Sequence, residues 1–224
     1  MALTLYYHPL SSFCHKVLIA LYENNIAFEK RFIDLGNEAD RSELRAIWPF
    51  TKFPVLHDHV RHRDVPESTI IIEYLDHFFA GEMPLIPADW DAALDVRLWD
   101  RFFDIYVHIP MQQIVANRHT GAQGAMGKEH ATLDLAYGML EERMASRTWV
   151  AGSHFTMADC AAVPALFYAS TLQRFPSEYA HLHAYFERLM ERPSVKRVIQ
   201  EAQPYFHLYP FADAIPARFR TGEQ

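Results

Sequence analysis

The chain has 224 residues, about one and a half times the roughly 150 expected per domain, which suits one small domain plus one larger. Its 21 Lys and Arg stand against 28 Asp and Glu, a net charge of −7 that argues against a surface tracking nucleic-acid phosphates. Half of the residues are hydrophobic and 14% aromatic, which excludes a disordered chain and leaves a globular protein with real cores.

The first residues lack the basic segment and small-residue cleavage site of an export signal. Leu3-Thr4-Leu5-Tyr6-Tyr7 reads as a short buried strand stopped by Pro9. Ser11-Ser12 opens a helix whose apolar face repeats at Cys14, Val17, Leu18 and Leu21, and Asn24-Asn25 ends it. A second strand over 28–33 and a short helix over 40–47 follow. Residues 54–56 and 60–65 read as a hairpin without the usual turn glycine. Glu67-Ser68 then opens a helix with Ile71, Tyr74, Leu75 and Phe78 on one face. The order β-α-β-α-β-β-α predicts a mixed sheet with helices packed on it.

Residues 81–88, with Gly81, Pro84 and Pro87, read as a linker. Everything beyond, 89–224, is predicted all-helical. Leu94, Leu98, Phe102, Ile105 and Ile109 form a stripe along a long helix, bent or ended near Pro110. A glycine-rich break follows at Gly121, Gly124 and Gly127. Leu133, Tyr137, Leu140 and Met144 mark the next helix, another begins after Gly152, and Leu182, Tyr185, Phe186 and Leu189 mark a further one. From Gln203 the chain reads as an extended, aromatic-rich tail lying over the body. The longest uncharged stretch, 160–173, contains Pro164 and falls short of the roughly 18 residues of a membrane span. Cys14 and Cys160 lie outside any C-x-x-C pattern, which points to a reducing compartment. The expectation is a soluble, cytoplasmic protein without membrane or nucleic-acid partners.

Four local signals bear on chemistry. Ser11-Ser12 is an N-cap, and its hydroxyl is also placed to hydrogen-bond a thiolate beside the positive end of a helix. Lys52-Phe53-Pro54-Val55-Leu56 carries a proline leading into a strand. Glu67-Ser68 puts a helix N-terminus where a ligand carboxylate can sit. Thr156 with Asp159 forms a capping box, with Phe155 placed to staple onto Cys160, and has a structural role only. Taken alone, the Ser11-Ser12 and Glu67-Ser68 starts read first as ordinary capping, and the proline says little. His57, His59 and His62 have short spacing, but strand alternation puts His57 and His59 on one face and His62 on the other. A solvated polar hairpin and no metal are expected there.

In order and spacing the four signals resemble the cytosolic glutathione transferases, in a bacterial, serine-type form, over nearly the whole chain. Tyr6-Tyr7-His8-Pro9-Leu10-Ser11-Ser12-Phe13-Cys14-His15-Lys16 is similar to that family's first strand, active loop and first helix. Trp48-Pro49-Phe50-Thr51-Lys52-Phe53-Pro54 resembles the stretch holding its cis-proline. Pro66-Glu67-Ser68-Thr69 resembles its γ-glutamyl-binding helix start. The resemblance implies a thioredoxin-like domain over 1–80, the linker 81–88 and the all-helical domain 89–224. Glutathione is the implied co-substrate, with Ser11 stabilising its thiolate, and Ser12 or a first-strand tyrosine, Tyr6 or Tyr7, as alternatives. Phe53, ahead of cis Pro54, would pair with the cysteinyl unit. Glu67 and Ser68 would hold the γ-glutamyl end, and Lys52 would lie near the glycyl end. A small electrophile would be held near Phe102, Phe103, Tyr106 and His108, and a homodimer is expected. Non-catalytic binding or regulation, or glutathione-dependent thiol transfer or peroxidase activity, is the alternative reading.

The departures are Thr51 where a glycine is common, the longer basic hairpin, and Phe13 where the zeta class has cysteine, which weakens a maleylacetoacetate-isomerase reading. Cys14 is open to modification if exposed.

Overall fold

The computed structural model describes residues 1–79, 81, 84–119 and 126–220, with the side chain of residue 119 left aside. The chain divides into two compact units, Met1–Ile86 and Pro87–Gln224.

In the first unit, β1 (Leu3–Tyr7), α1 (Ser12–Glu23), β2 (Glu29–Phe32), α2 (Glu38–Ile47), β3 (Val55–Asp58), β4 (Arg63–Pro66) and α3 (Ser68–Phe78) follow one another. The sheet order is β2-β1-β3-β4, with β1 parallel to β2 and the other neighbours antiparallel. This is a thioredoxin-like arrangement, and the predicted element order holds. Helix α1 packs against α3. It is enclosed over Cys14 to Leu21 and not along one face alone, so His15 and Lys16 are buried with the apolar residues. Asn25 takes a positive φ of 51° just past its end.

The hairpin turns without glycine because Asp58 organises it. One carboxylate oxygen accepts the Val60 and Arg61 N–H groups at 2.8 and 2.9 Å, and the other accepts the Tyr74 hydroxyl at 2.7 Å. His62 takes the left-handed conformation, φ 49°. Burial pushes the Asp58 carboxyl up, but the Arg61 N–H, the Tyr74 hydroxyl, the Arg61 guanidinium and the Val60 N–H outweigh it and bring it down to about 2. A carboxyl depressed from about 3.9 stabilises the fold above that pH and loses the contribution as pH falls toward its folded value. Asp58→Asn is therefore expected to cost about 2 kcal/mol at pH 7. Denaturant unfolding at several pH values should show the gap to the parent closing between pH ~4 and ~2. Phe78, expected on the buried face of α3, is instead 40% exposed, with the Arg61 guanidinium 4.3 Å over its ring.

The second unit is helical. It comprises α4 (Trp90–Phe102), a π-helical turn (Phe103–His108), α5 (Ile109–His119), α6 (Gly127–Met144), α7 (Met157–Leu172), α8 (Ala180–Met190) and α9 (Pro193–Ala202). Two 3₁₀ turns (Gln203–Leu208 and Ala212–Ala214) and α10 (Ala217–Arg220) complete it. Of the stripe predicted on the first of these helices, only Phe102 is buried and Ile105 is half-buried. Leu94, Leu98 and Ile109 are exposed, while Ala93, Val96, Trp99, Phe103 and Val107 are buried. The largest aliphatic residues of α4 point outward, and the π-turn, with five residues per hydrogen-bonded step, breaks the 3.6 period before Pro110 is reached. Gly121 and Gly124 of the predicted break lie outside the described residues, and Gly127 opens α6.

The predicted stripes of α6 and α8 are buried throughout. Helix α7 is enclosed from Met157 to Ala169 and packs against α4, α5 and α8. Its N-terminal capping box forms: the Asp159 carboxylate accepts the Thr156 N–H at 2.9 Å and hydroxyl at 3.0 Å. The tail does lie over the body, but as short helical turns and not as extended chain. Phe206 stacks on Phe167, and Tyr209 packs on Tyr168 and hydrogen-bonds Thr171 at 2.8 Å. Helix α9 has no counterpart among the predicted elements, although Val195, Val198, Ile199 and Ala202 repeat at helical spacing behind a proline at the first position.

Candidate functional site

Strand register gathers the predicted ligand residues of the first unit at one end of the sheet. Tyr6 pairs with Val55, Val55 with Pro66, and Tyr7 with Phe32. The end of β1, the start of β3 and the end of β4 therefore lie side by side. The loop carrying Ser11, the Phe53-Pro54 step and the Glu67-Ser68 corner all leave the sheet there. Contact is direct between two of them: the His8 ring stacks on Phe53, centroids 5.8 Å apart and 16° from parallel.

Ser11 caps α1. Its φ of −73° and ψ of 116° are extended, and its Oγ accepts the Cys14 N–H at 3.3 Å. An oxygen that accepts from the helix keeps its own proton to donate elsewhere, and the helix terminus adds positive potential at that point. Ser11 is half-buried, whereas Ser12 is 6% exposed and faces the interior. Tyr6 packs with Ile47, Trp48 and Phe53 against Ile33, Leu44 and Val55. Burial, then Glu43 and Asp64, raises its phenol above the usual range, which makes it a poorer donor to a thiolate. The Tyr7 ring lies 5.9 Å from the Lys30 ammonium.

The peptide bond Phe53-Pro54 is cis. Thr51, noted for standing where glycine is common, has φ 53°, the left-handed region in which glycine would be unstrained. Lys52 is exposed and Phe53 half-buried. Glu67 is the most strained of these residues, with φ 71° and ψ 119° at the start of α3. Its carbonyl accepts the Ile71 N–H at 2.8 Å, but its exposed side chain makes no capping hydrogen bond. The backbone bends there so that the exposed Glu67 carboxylate stands beside the uncapped N-terminal turn of α3, which begins at the buried Ser68.

Of the four residues expected around the second substrate, Phe103 and His108 are fully enclosed in the helical unit and Phe102 nearly so. Tyr106, half exposed, is the one with surface to offer. Cys14 is fully buried, and burial pushes its thiol up to about 12 against the opposing effect of Ser11 and His8. It is neither exposed nor acidic, so the condition for its modification is not met. His57 and His59 do share a face, ring centroids 4.5 Å apart, but His57 bonds Asp64 at 2.7 Å and His59 bonds Thr4 at 2.8 Å. Among the described residues no three His, Cys, Asp or Glu side chains converge as metal ligands. None of the described helices is long and apolar enough to cross a membrane.

Sequence reasoning missed His8. Its Nδ1 accepts the Leu10 N–H at 3.2 Å, and burial lowers its pKa below the usual histidine value against the opposing pull of Asp34. A histidine between the end of a strand and a proline was the available signal.

Comparison with known proteins adds a family. The family model described as glutathione S-transferase, N-terminal domain, matches residues 5–83, and the one described as glutathione S-transferase, C-terminal domain, matches residues 103–193. Glutathione S-transferase U25 of Arabidopsis thaliana is 27% identical over 210 residues, covering 89% of this chain and 90% of the relative. A stringent starvation protein A homolog from Coxiella burnetii is 26% identical over 203 residues, covering 90% of this chain and 93% of the relative. Among solved structures, an epsilon-class glutathione S-transferase from the housefly, Musca domestica, superposes with a TM-score of 0.83 at 20% identity, covering 95% of this chain and 96% of that one.

Proposed function

The chain belongs to the glutathione S-transferase family, and from that premise we propose that it binds glutathione at the end of its sheet and activates the thiol for attack on a small electrophile. The observation that carries this reading is the convergence there of a capping serine hydroxyl, a cis Phe53-Pro54 step and the strained Glu67 opening a helix. These are the three requirements of a γ-glutamyl tripeptide thiol: a donor for the sulfur, an extended backbone for the cysteinyl unit, and paired groups for an ammonium and a carboxylate.

Ser11 donates its hydroxyl proton to the thiolate, aided by the α1 terminus. Lowering a thiol from about 8.5 to about 6.5 requires roughly 2.7 kcal/mol, within the reach of those two effects together. Phe53 offers backbone groups to the cysteinyl unit, and the Glu67 carboxylate meets the γ-glutamyl ammonium. The open N–H groups of the first turn of α3, that of Ser68 first, receive its carboxylate, and Lys52 attracts the glycyl carboxylate. The thiolate forms the new bond to an electrophilic centre as its leaving group departs. A buried, protonated Cys14 weighs against a protein thiol taking part. A homodimer is supported by Trp90, Leu94 and Leu98, an exposed apolar row at i, i+4 and i+8 along α4.

The test is a glutathione titration followed by tryptophan fluorescence, Trp48 lying in the α2–β3 connection next to Phe53. Saturable binding below millimolar glutathione, with a thiolate absorbance at neutral pH, is the expected result. No saturation at millimolar glutathione would sink the reading in favour of a non-catalytic protein.

A further inference from the structure

Helix α1 carries two adjacent polar side chains that the proposed chemistry does not use, and both are buried. His15 is 2% exposed and Lys16 fully enclosed, in a helix that is buried from Cys14 to Leu21. Polar groups in such a place are retained where they satisfy something, and each satisfies a different ligand-bearing segment. His15 Nε2 lies 2.5 Å from the Pro9 carbonyl oxygen. A carbonyl only accepts, so Nε2 carries the proton and donates it. Pro9 sits in the four-residue turn closed by the Ser11 N–H to His8 carbonyl bond at 3.0 Å, the turn that delivers Ser11 to the head of the helix. Lys16 Nζ donates to Thr69 Oγ1 at 2.8 Å. Thr69 stands in the first turn of α3, two residues beyond the strained Glu67.

We infer that His15 and Lys16 are positioning residues that tie the β1–α1 turn and the α3 N-terminus to one helix, His15 setting the thiolate end of the glutathione site and Lys16 the γ-glutamyl end. The inference rests on the glutathione reading for its functional half. Its structural half, two independent anchors on one helix, stands without ligand. The physical argument is that neither segment holds itself. The turn's buried Pro9 carbonyl needs a donor that the turn does not contain. The first turn of α3 has no capping side chain from Glu67, which sits in a backbone conformation that surrounding structure must maintain. Adjacent positions on a helix point about 100° apart, so one short stretch of α1 reaches two separate segments. Their effects should therefore separate.

The test pairs volume-matched variants, His15→Leu and Lys16→Met, with His15→Asn and Lys16→Arg, which keep a donor. Native-state hydrogen exchange is measured on the free protein, and glutathione affinity and the thiol pKa of the bound form by titration. In His15→Leu, the amides of residues 8 and 10–12 should exchange about tenfold faster while 67–70 hold, the cost of an orphaned buried carbonyl expressed locally. The bound thiol pKa should rise by about one unit with glutathione affinity changed less, since a displaced donor acts on the anion alone. In Lys16→Met the pattern reverses. Residues 67–70 should exchange faster, and glutathione should bind about tenfold more weakly with the thiol pKa unmoved. The donor-keeping variants should recover a large part of each loss. Equal effects of both variants on both segments, or normal exchange in both, would overturn the inference, because a merely structural role in the core loosens the unit as a whole. Separated exchange effects in a protein that binds no glutathione would leave the anchors standing and defeat the functional reading instead.

Discussion

Ser11→Ala should raise the bound glutathione thiol toward its solution pKa of about 8.5, the α1 terminus still acting, which cuts the thiolate fraction at pH 6.5 by at most about fifty-fold if the parent holds it near 6.5. Turnover with a reactive electrophile should fall by about 10²-fold, the scale on which removing one preorganised donor acts. Ser12→Ala should change neither, because Ser12 turns into the interior. A Tyr7→Phe control addresses the first-strand alternative, Tyr6 being packed against Ile33, Leu44 and Val55. The readout is thiolate absorbance against pH with glutathione saturating. An unchanged titration in Ser11→Ala would transfer the role to another donor. Ser11→Ala also removes the α1 cap, worth about 1 kcal/mol. Ser11→Gly separates the two effects, since glycine caps nearly as well yet has no hydroxyl to donate.

Asp159→Ala should be the most damaging single change in the helical unit, at about 3–5 kcal/mol. The enclosed carboxylate accepts the Val150 N–H at 3.1 Å, the Thr156 N–H at 2.9 Å, the Thr156 hydroxyl at 3.0 Å and the Tyr185 hydroxyl at 2.6 Å. Burial pushes this carboxyl up although all four donors act to lower it, a sign of how deep the site lies. Deleting it strands two backbone N–H groups and a buried phenol at once. In a chain of this size the midpoint of thermal unfolding should drop by about 10 °C or more. Asp159→Asn keeps one acceptor and should lose less, and Tyr185→Phe, which removes a single bond, about 1 kcal/mol. Calorimetry on the three variants checks the ranking. A loss for Asp159→Ala no larger than for Tyr185→Phe would mean that the capping box does not hold the start of α7.

Both predictions draw on motifs legible in the sequence, for a shared reason. Caps, turn residues and the proline-led strand act within a few residues of themselves, so their signatures are local. Ser11, Glu67-Ser68 and the Thr156–Asp159 box were placed at helix starts from spacing alone, and each helix begins within a residue of them. Resemblance to a family then joined signals that periodicity could not connect. Long-range partners had no such signature. The outward turn of Leu94 and Leu98 depends on α4 packing through Val96, Trp99 and Phe103, and on a π-turn that no hydrophobic period announces. Asp58 reads as an ordinary polar residue of a hairpin until Tyr74, sixteen positions away, is seen to donate to it.

What the sequence determined by itself was element order, the serine at the head of the first helix and the charge balance, because each is a property of neighbouring residues or of composition. Tertiary structure alone decided which of those residues meet. Strand register brought Ser11, Phe53 and Glu67 to one edge, enclosure silenced Cys14, and a helix buried on all sides turned His15 and Lys16 from solvent-facing polar residues into internal hydrogen-bond donors. Burial and pairing are set by atoms far away in the chain, so a lowered His8, a thiol near 12 and a carboxyl near 2 belong to the fold and not to the letters that encode it.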